Sequence, residues 1–265
     1  VRIARFSIDG NVAFGVVEGD SPPGSTDGLV LNIIKGIPFA EFETTGTRVP
    51  LNQVRLLPPV LPSKVIGIGR NYAEHAAELG NEVPATPVAF LKPSTSVIGD
   101  GDGIAYPSFS QEVHYEAELA VVIGRLCRDV PHERVKDVIL GFTCANDVTA
   151  RDIQRSDNQW SRAKGFDTSC PLGPWVETGI DLATAANLTL QCTVNGQQRQ
   201  LGSTSDMVRS VEDLIVHVSE AMTLLPGDVI LTGTPAGVGP LNVGDEVAVS
   251  IEGIGTLTNK VITRG

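Results

Sequence analysis

Two glutamates one residue apart carry the first chemical signal in this chain. In "HYEAELAVVIG", Glu116 and Glu118 are separated by a single alanine. On a strand, residues i and i+2 share a face, so both carboxylates point the same way. Like charges that close raise each other's pKa unless a cation sits between them. A solvated strand face would carry such a pair without difficulty. The continuously apolar "LAVVIG" that follows predicts instead a strand buried on both faces. Taking two carboxylates out of water costs on the order of several kcal/mol each, so a buried pair calls for a counter-cation.

A third carboxylate is placed to complete such a site. "ILGFTCAND" reads as a strand that delivers Asp147 at its end, and "TARD" opens a helix, with Thr149 and Asp152 at capping-box spacing. Asp147 is then either a loop or capping aspartate, or a functional side chain at a strand-to-helix junction. Glu116, Glu118 and Asp147, with no His or Cys beside them, favour a hard cation, Mg²⁺ or Mn²⁺, over zinc. Three protein oxygens leave about three of roughly six octahedral positions for water or a chelating substrate.

"GRNYAEHAAE" holds a second constellation. His75 and Glu78 are i, i+3 on a short helix and share a face. A carboxylate beside an imidazole raises its basicity and fixes its tautomer, as in a general-base dyad. The same pair also fits an ordinary helix surface. If the helix and the Pro-containing loop behind it move, they would form a lid. Lys164 in "SRAKGFDTSCP" is either a surface lysine or a cation facing the carboxylates. "GIGRNY" lacks the third glycine of a dinucleotide fingerprint, and "TGTPAGVG" lacks the Gly-Lys-Ser/Thr of a phosphate loop. The backbone N–H groups of the latter's tight turn are still suited to holding a carboxylate.

The elements that must position these residues are mostly strands. "VRIARFSIDGNVAFGVVEGD", "LTLQCTVNGQQRQL" and "DEVAVSIEGIGTLTNKVI" read as hairpins, the second turning at Asn195-Gly196. "KVIGIG" and "VAFLKP" read as strands. "NYAEHAAEL" reads as a short helix with Asn71 as N-cap and Gly80 just past its end. "SVEDLIVHVSEAM" is the clearest amphipathic helix, with Ser210 and Asp213 as a capping box and Val211, Leu214, Ile215, Val218 and Met222 as its buried stripe. Prolines at 58, 59 and 62 mark a boundary, giving a small β-rich domain over residues 1–60 and a main domain over 61–265. The fold class expected is mixed α+β, dominated by strands.

Composition narrows the partners. A net charge of −11, with no Lys/Arg cluster, argues against nucleic acid and anionic membranes. No apolar run reaches the roughly 20 residues of a membrane span, and no secretory leader opens the chain, so a cytoplasmic protein is expected. Four scattered cysteines without a C-x-x-C pair point to free thiols.

Taken together, "GRNYAEHAAE", "FLKPST", "EAELAVVIG", "NDVTARD", "AKGFDTSCPLGP" and "LLPGDVILTGTPAGVG" resemble, in order and wording, the fumarylacetoacetate hydrolase superfamily over roughly residues 60–265. The first 60 residues resemble the small domain that prokaryotic members carry ahead of the catalytic one. The resemblance implies a β-rich sandwich roll, a homodimer, and Mg²⁺ or Mn²⁺ on Glu116, Glu118 and Asp147. It implies that Lys164 lies beside the metal-bound ligands and that His75 and Glu78 form the lid dyad. It further implies that Arg151, Gln154 and Thr234 line the substrate site. The Asp147-to-Lys164 connection is shorter than in the acylpyruvase branch, and since that loop helps shape the pocket, that branch's substrates are the alternative rather than the first expectation.

The substrate implied is a small 2-oxo dicarboxylate or its enol. Three carboxylates against a divalent ion leave one negative charge for Lys164 to neutralise, and a dianionic substrate would then need Arg151 and Arg70. One enolate serves three outcomes: isomerisation of the 2-hydroxyhepta-2,4-diene-1,7-dioate kind, decarboxylation of the oxaloacetate kind, and C–C hydrolysis of acylpyruvates. The prokaryotic isomerase and decarboxylase members are the nearer match in wording. A catalytically silent, metal-bearing structural or binding protein is the alternative of another class, and loss or retention of turnover in a Glu116→Ala or His75→Ala variant separates the two.

Overall fold

The strand Ala117–Ile123 is apolar at every position but Glu118, and all seven of its residues are buried. It lies inside a twelve-stranded sheet, hydrogen-bonded on one side to Ile139–Asn146 and on the other to Val229–Leu231, both antiparallel. The computed structural model describes residues 1–21 and 25–264. Burial on both faces follows from the layers around this sheet. On one face Leu119, Val121 and Phe142 share an apolar cluster with Leu190, Val249 and Leu257 of a five-stranded sheet. On the other, Ala120 and Val122 pack with Val60, Val65 and Val229. Two sheets with an interdigitated core make a sandwich, the β-dominated architecture expected.

The predicted hairpins form. Arg2–Ile8 and Asn11–Glu18 pair across Asp9-Gly10, and Thr189–Val194 and Gln197–Ser203 across Asn195-Gly196. Both turn residues have positive φ in each case (49° and 78°; 52° and 74°), as a two-residue hairpin loop requires. Glu246–Ile251 and Gly255–Thr263 form the third hairpin. The first strand also pairs at its other edge with Cys170–Glu177, placing Arg2 opposite Glu177, so the N-terminal strands extend the large sheet. These strands keep their own apolar cluster around Phe6, Leu31 and Leu56, to which Trp175 is added.

The strand Lys64–Gly69 runs parallel to Val229–Leu231, with Val65 opposite Val229. Asp228 ties the two together, accepting from the backbone N–H groups of Ser63 (3.0 Å) and Lys64 (3.2 Å) and from the Lys64 ammonium. The amphipathic helix Val211–Ala221 has the predicted capping box, and Val211, Leu214, Ile215 and Val218 are buried with Met222 packed partly against the same cluster.

Two capping expectations are corrected. The helix Ala73–Glu78 begins after Tyr72 without a side-chain cap. Asn71 is buried instead and bridges two other segments, donating to the carbonyls of Thr232 (2.8 Å) and Arg209 (3.1 Å) and accepting from Arg209 N. Its long-range hydrogen bonds outcompete the local one. Gly80, at φ 68°, does close the helix, donating to Ala77 O while Asn81 N donates to Ala76 O. The helix Arg151–Ser156 likewise lacks the Thr149/Asp152 box. Thr149 sits in a short strand with its hydroxyl turned to Asp147 O, and Asp152 accepts from Ser110 Oγ and Gln111 N. Among the described residues, no helix is long and apolar enough to cross a membrane.

Candidate active site

Register brings the three carboxylates together. Ala117 stands opposite Asn146 and Glu118 opposite Ala145, so Glu116 and Asp147 face each other across the strand ends. Asp147 N donates to Glu116 O at 2.9 Å. With period-two alternation, Glu116, Glu118 and Asp147 all project from one face. One oxygen of each lies within 4.8 Å of the others, and all three residues are buried.

Cations hold two of the three. Lys164 Nζ donates to Glu116 Oε2 (2.9 Å), Asp147 Oδ2 (2.6 Å) and Thr149 Oγ1 (2.8 Å). Arg151 Nη2 donates to Glu116 Oε1 at 2.5 Å. Burial pushes the Glu116 carboxyl up, but Lys164 and then Arg151 more than offset this and hold it well below the usual carboxylate range. Burial also works against charge on Lys164, and Asp147 and Glu116 reverse it, leaving the ammonium harder to deprotonate than a free lysine.

Glu118 differs. Its Oε2 accepts from Gly233 N at 2.7 Å, and among the described residues no cation pairs with it. Burial first, then Asp147 and Glu116, push its carboxyl well above the ordinary value. A carboxyl so placed either carries a proton or meets a cation. A divalent ion among Glu116, Glu118 and Asp147 would supply that charge, and an all-oxygen donor set suits Mg²⁺ or Mn²⁺. The residues present therefore fit the metal that their spacing suggested.

Lys92 was assigned no role by sequence reasoning. It is fully buried, and its ammonium donates to Asp147 Oδ1 at 2.6 Å and to the carbonyl of Lys164. The charge balance changes accordingly. Lys92, Arg151 and Lys164 cancel three carboxylates before any metal enters. A divalent ion leaves the site at two positive charges, which a dianionic substrate neutralises. The visible signal was a lysine inside the apolar strand "VAFLKP", a placement that demands a buried partner.

Above the cluster is a cavity of about 360 Å³, lined by Glu116, Glu118, Arg151 and Lys164 and also by His75, Arg70 and Leu79. His75 Nδ1 lies 3.2 Å from Glu78 Oε2. A carboxylate can only accept, so Nδ1 carries the hydrogen and Nε2 is left as an acceptor. Glu78 Oε1 in turn accepts from Gly237 N at 3.0 Å. The "TGTPAGVG" turn thus holds two carboxylates, Glu118 through Gly233 and Glu78 through Gly237. Gly233 has φ 99°, and a Cβ there would stand 2.9 Å from that of Asn71, so only glycine fits.

The remaining predicted residues line the same cavity. Gln154 Oε1 accepts from Arg151 Nη1 at 2.9 Å. The hydroxyl hydrogen of Thr234 is committed to Ala117 O (2.8 Å), and its oxygen accepts from Gln200 Nε2 (2.8 Å), so Thr234 faces a ligand chiefly as an acceptor. Arg70 holds a left-handed backbone (φ 60°) that costs a side chain on the order of 1 kcal/mol. Among the described residues its guanidinium makes no ion pair within the chain. Trp160 and Arg155 complete the wall. Every residue assigned a site by sequence reasoning touches this cavity, except Asp147 and Glu78, which act on it through Lys164 and His75.

Comparison with known proteins identifies the family. Residues 64–262 match the fumarylacetoacetate (FAA) hydrolase C-terminal family model, and residues 1–59 match one described as Rv2993c-like, N-terminal. Protein Rv2993c of Mycobacterium tuberculosis is 49% identical over 265 residues, covering 100% of this chain and 99% of that one. Oxaloacetate tautomerase YcgM of Escherichia coli is 44% identical over 204 residues, 76% of this chain and 93% of the relative. Among solved structures, 2-hydroxyhepta-2,4-diene-1,7-dioate isomerase from Mycobacterium marinum superposes with a TM-score of 0.91 at 47% identity, covering 100% and 99% of the two chains. Fumarylpyruvate hydrolase from Pseudomonas aeruginosa, solved with Mn²⁺ and pyruvate, superposes at 0.72 with 30% identity, covering 79% and 92%.

Proposed function

We infer that this chain, which belongs to the fumarylacetoacetate hydrolase family, moves a proton on a dicarboxylic 2-oxo acid, interconverting keto and enol forms or shifting a C=C bond. The observation that supports this most is one cavity lined by two different sets of groups. A hydrogen-bonded His75–Glu78 pair forms one wall, and buried carboxylates balanced by lysine and arginine form the other. The names of the relatives, a tautomerase and an isomerase, belong to the same reaction class.

A divalent cation held by Glu116, Glu118 and Asp147 would supply Lewis-acid stabilisation of the negative charge that proton loss leaves on a 2-oxo acid. The chain's own residues do the rest. Nε2 of His75 takes the proton from carbon and returns it, while Glu78 holds the Nδ1–H and steadies the imidazolium. Gly237 N fixes Glu78, so the imidazole keeps one orientation. Arg151 and Arg70, which makes no ion pair among the described residues, bind substrate carboxylates, while Lys164 favours the charged form of Glu116 and hydrogen-bonds to Asp147. The charge balance carries the choice of a dicarboxylic substrate.

Hydrolytic C–C cleavage is the second reading, because the same dyad can draw a proton from water. Oxaloacetate, acylpyruvates and the heptadienedioate are assayed in parallel for enol or diene absorbance, CO₂ and pyruvate. Catalysed change in absorbance without CO₂ or pyruvate release, abolished in His75→Ala, supports proton transfer. Pyruvate release from acylpyruvates turns the assignment to hydrolysis, and CO₂ release from oxaloacetate turns it to decarboxylation. No turnover above background on any of them would leave a binding protein.

A further inference from the structure

Arg151 is held at more points than a substrate-binding arginine needs for charge balance alone. Besides Glu116 and Gln154, its Nε–H donates to Nδ1 of His114 at 3.4 Å. Nδ1 accepts only if it carries no hydrogen, so the ring hydrogen is on Nε2. Nε2 lies 3.3 Å from Oε1 of Glu112. Glu112 is secured by Arg155, whose Nη1 donates to Oε1 at 3.3 Å, and Arg155 holds the Glu112 carboxyl below the usual carboxylate range.

The backbone fixes the same arrangement. His114 pairs with Thr149 and Val113 with Ala150 in a short antiparallel ladder, and Arg151 N donates to Glu112 O at 2.7 Å. Glu112 therefore registers Arg151 by its carbonyl and places its carboxylate beside the His114 ring. The three side-chain contacts use Nε–H and one N–H of each terminal nitrogen. Of the five N–H groups of a guanidinium, one is left on each terminal nitrogen. His114 does not line the cavity, so whatever it does for a ligand passes through Arg151.

We propose that His114 is a positioning residue, whose Nδ1 fixes the rotation of the Arg151 guanidinium so that its two remaining N–H groups meet a substrate carboxylate. This rests on the reading of Arg151 as a carboxylate-binding residue. Without the third contact the side chain keeps its charge and its bond to Glu116 but gains freedom to turn about it. The loss then falls on binding, equally in ground and transition state, which raises KM and spares kcat.

The test compares His114→Leu, which removes the acceptor, with His114→Asn, whose amide oxygen can replace Nδ1. With a 2-oxo dicarboxylate that the wild type turns over, KM rises about tenfold in His114→Leu and returns to within about threefold of wild type in His114→Asn. In both variants kcat stays within about threefold. Equal behaviour of the two variants, or a fall in kcat at unchanged KM, overturns the proposal. A readout free of turnover uses protein labelled with ¹⁵N in its histidines and arginines, whose four histidines are few enough to assign by substitution. The His114 ring shows the Nε2–H tautomer, and the Arg151 Nε–H exchanges slowly in wild type and His114→Asn but fast in His114→Leu. An Nδ1–H tautomer overturns the proposal even if His114→Leu fails to fold. If the wild type turns over no 2-oxo acid, the functional reading falls while the spectra still decide the contact.

Discussion

The two walls of the cavity are built in opposite ways. The carboxylate wall stands on the ends of two strands, one buried throughout and the other buried in its last six residues, and each oxygen of Glu116 and Asp147 has a cationic hydrogen-bond partner. The dyad wall stands on a helix of six residues, Ala73–Glu78, too short to persist alone. It is secured by Gly80 at its end and by Gly237 N on Glu78. The contrast follows from what each wall must withstand. Buried like charges need rigid geometry, since a small displacement exposes several kcal/mol of uncompensated repulsion (on the order given for broken buried pairs). The proton-transfer role proposed for His75 needs little more than a fixed imidazole.

Substitutions on the dyad wall should therefore cost activity, and those on the carboxylate wall should cost stability as well. The largest effect expected is in His75→Ala, where turnover of the 2-oxo acid substrate falls about 10²- to 10⁴-fold. Its thermal midpoint stays close to wild type, and a large drop there would erase the contrast. Next is Lys92→Met, which leaves Asp147 Oδ1 buried without its cation and costs about 3–5 kcal/mol. Urea unfolding measures it, and an unchanged midpoint would show that the cluster is not held by paired charge.

Metal binding sharpens the contrast further. Mg²⁺ or Mn²⁺ added to EDTA-treated wild type at about 100 times its Kd raises stability by about 2.7 kcal/mol. The shift persists in His75→Ala and vanishes in Glu118→Ala. A shift surviving in Glu118→Ala would place the ion elsewhere. Arg70→Ala should raise KM about tenfold with little change in stability, since among the described residues its guanidinium makes no ion pair.

The smallest effect concerns pH and the latch beneath the dyad wall. Burial pushes the Asp228 carboxyl up, but hydrogen bonds from Lys64 and Ser63 outweigh it and hold the group below its ordinary 3.8. A depressed folded value means stability that is fully present above 3.8 and lost as pH falls through the lower folded value. Wild type should thus lose its margin over Asp228→Asn between about pH 5 and pH 2, measured by urea midpoints. A margin independent of pH would remove Asp228 from the account.

Legibility in the sequence followed the range of the interaction. Period-two spacing put Glu116 and Glu118 on one face and a strand end delivered Asp147, because those geometries are local; that Asp147 meets the pair depends on the register of two strands, and only the family resemblance implied it. The hairpins at Asp9-Gly10 and Asn195-Gly196, and the Ser210–Asp213 box, were legible for the same reason. Lys92 was not, since its partner Asp147 lies 55 residues away. Asn71 and Thr149 misled because their side chains chose distant or buried partners over the nearby helix ends. The pairing of Arg2 with Glu177, which attaches the first strands to the large sheet, depends on a register between segments 175 residues apart and leaves no trace in either hydrophobic pattern.

The parallel pair Lys64–Gly69 and Val229–Leu231 has one more consequence. Parallel strands release their following segments at the same edge, so the chain from Arg70 to Asn81 and the turn from Gly233 to Gly237 leave the sheet side by side. Together they supply Arg70, His75, Glu78 and Thr234, while the carboxylates come from other strands. Lengthening or exchanging these two segments would alter which acid fits without shifting a single register in the sheet. The fold thereby separates an interchangeable selector from a fixed electrostatic base, which is how one scaffold can serve several 2-oxo acids.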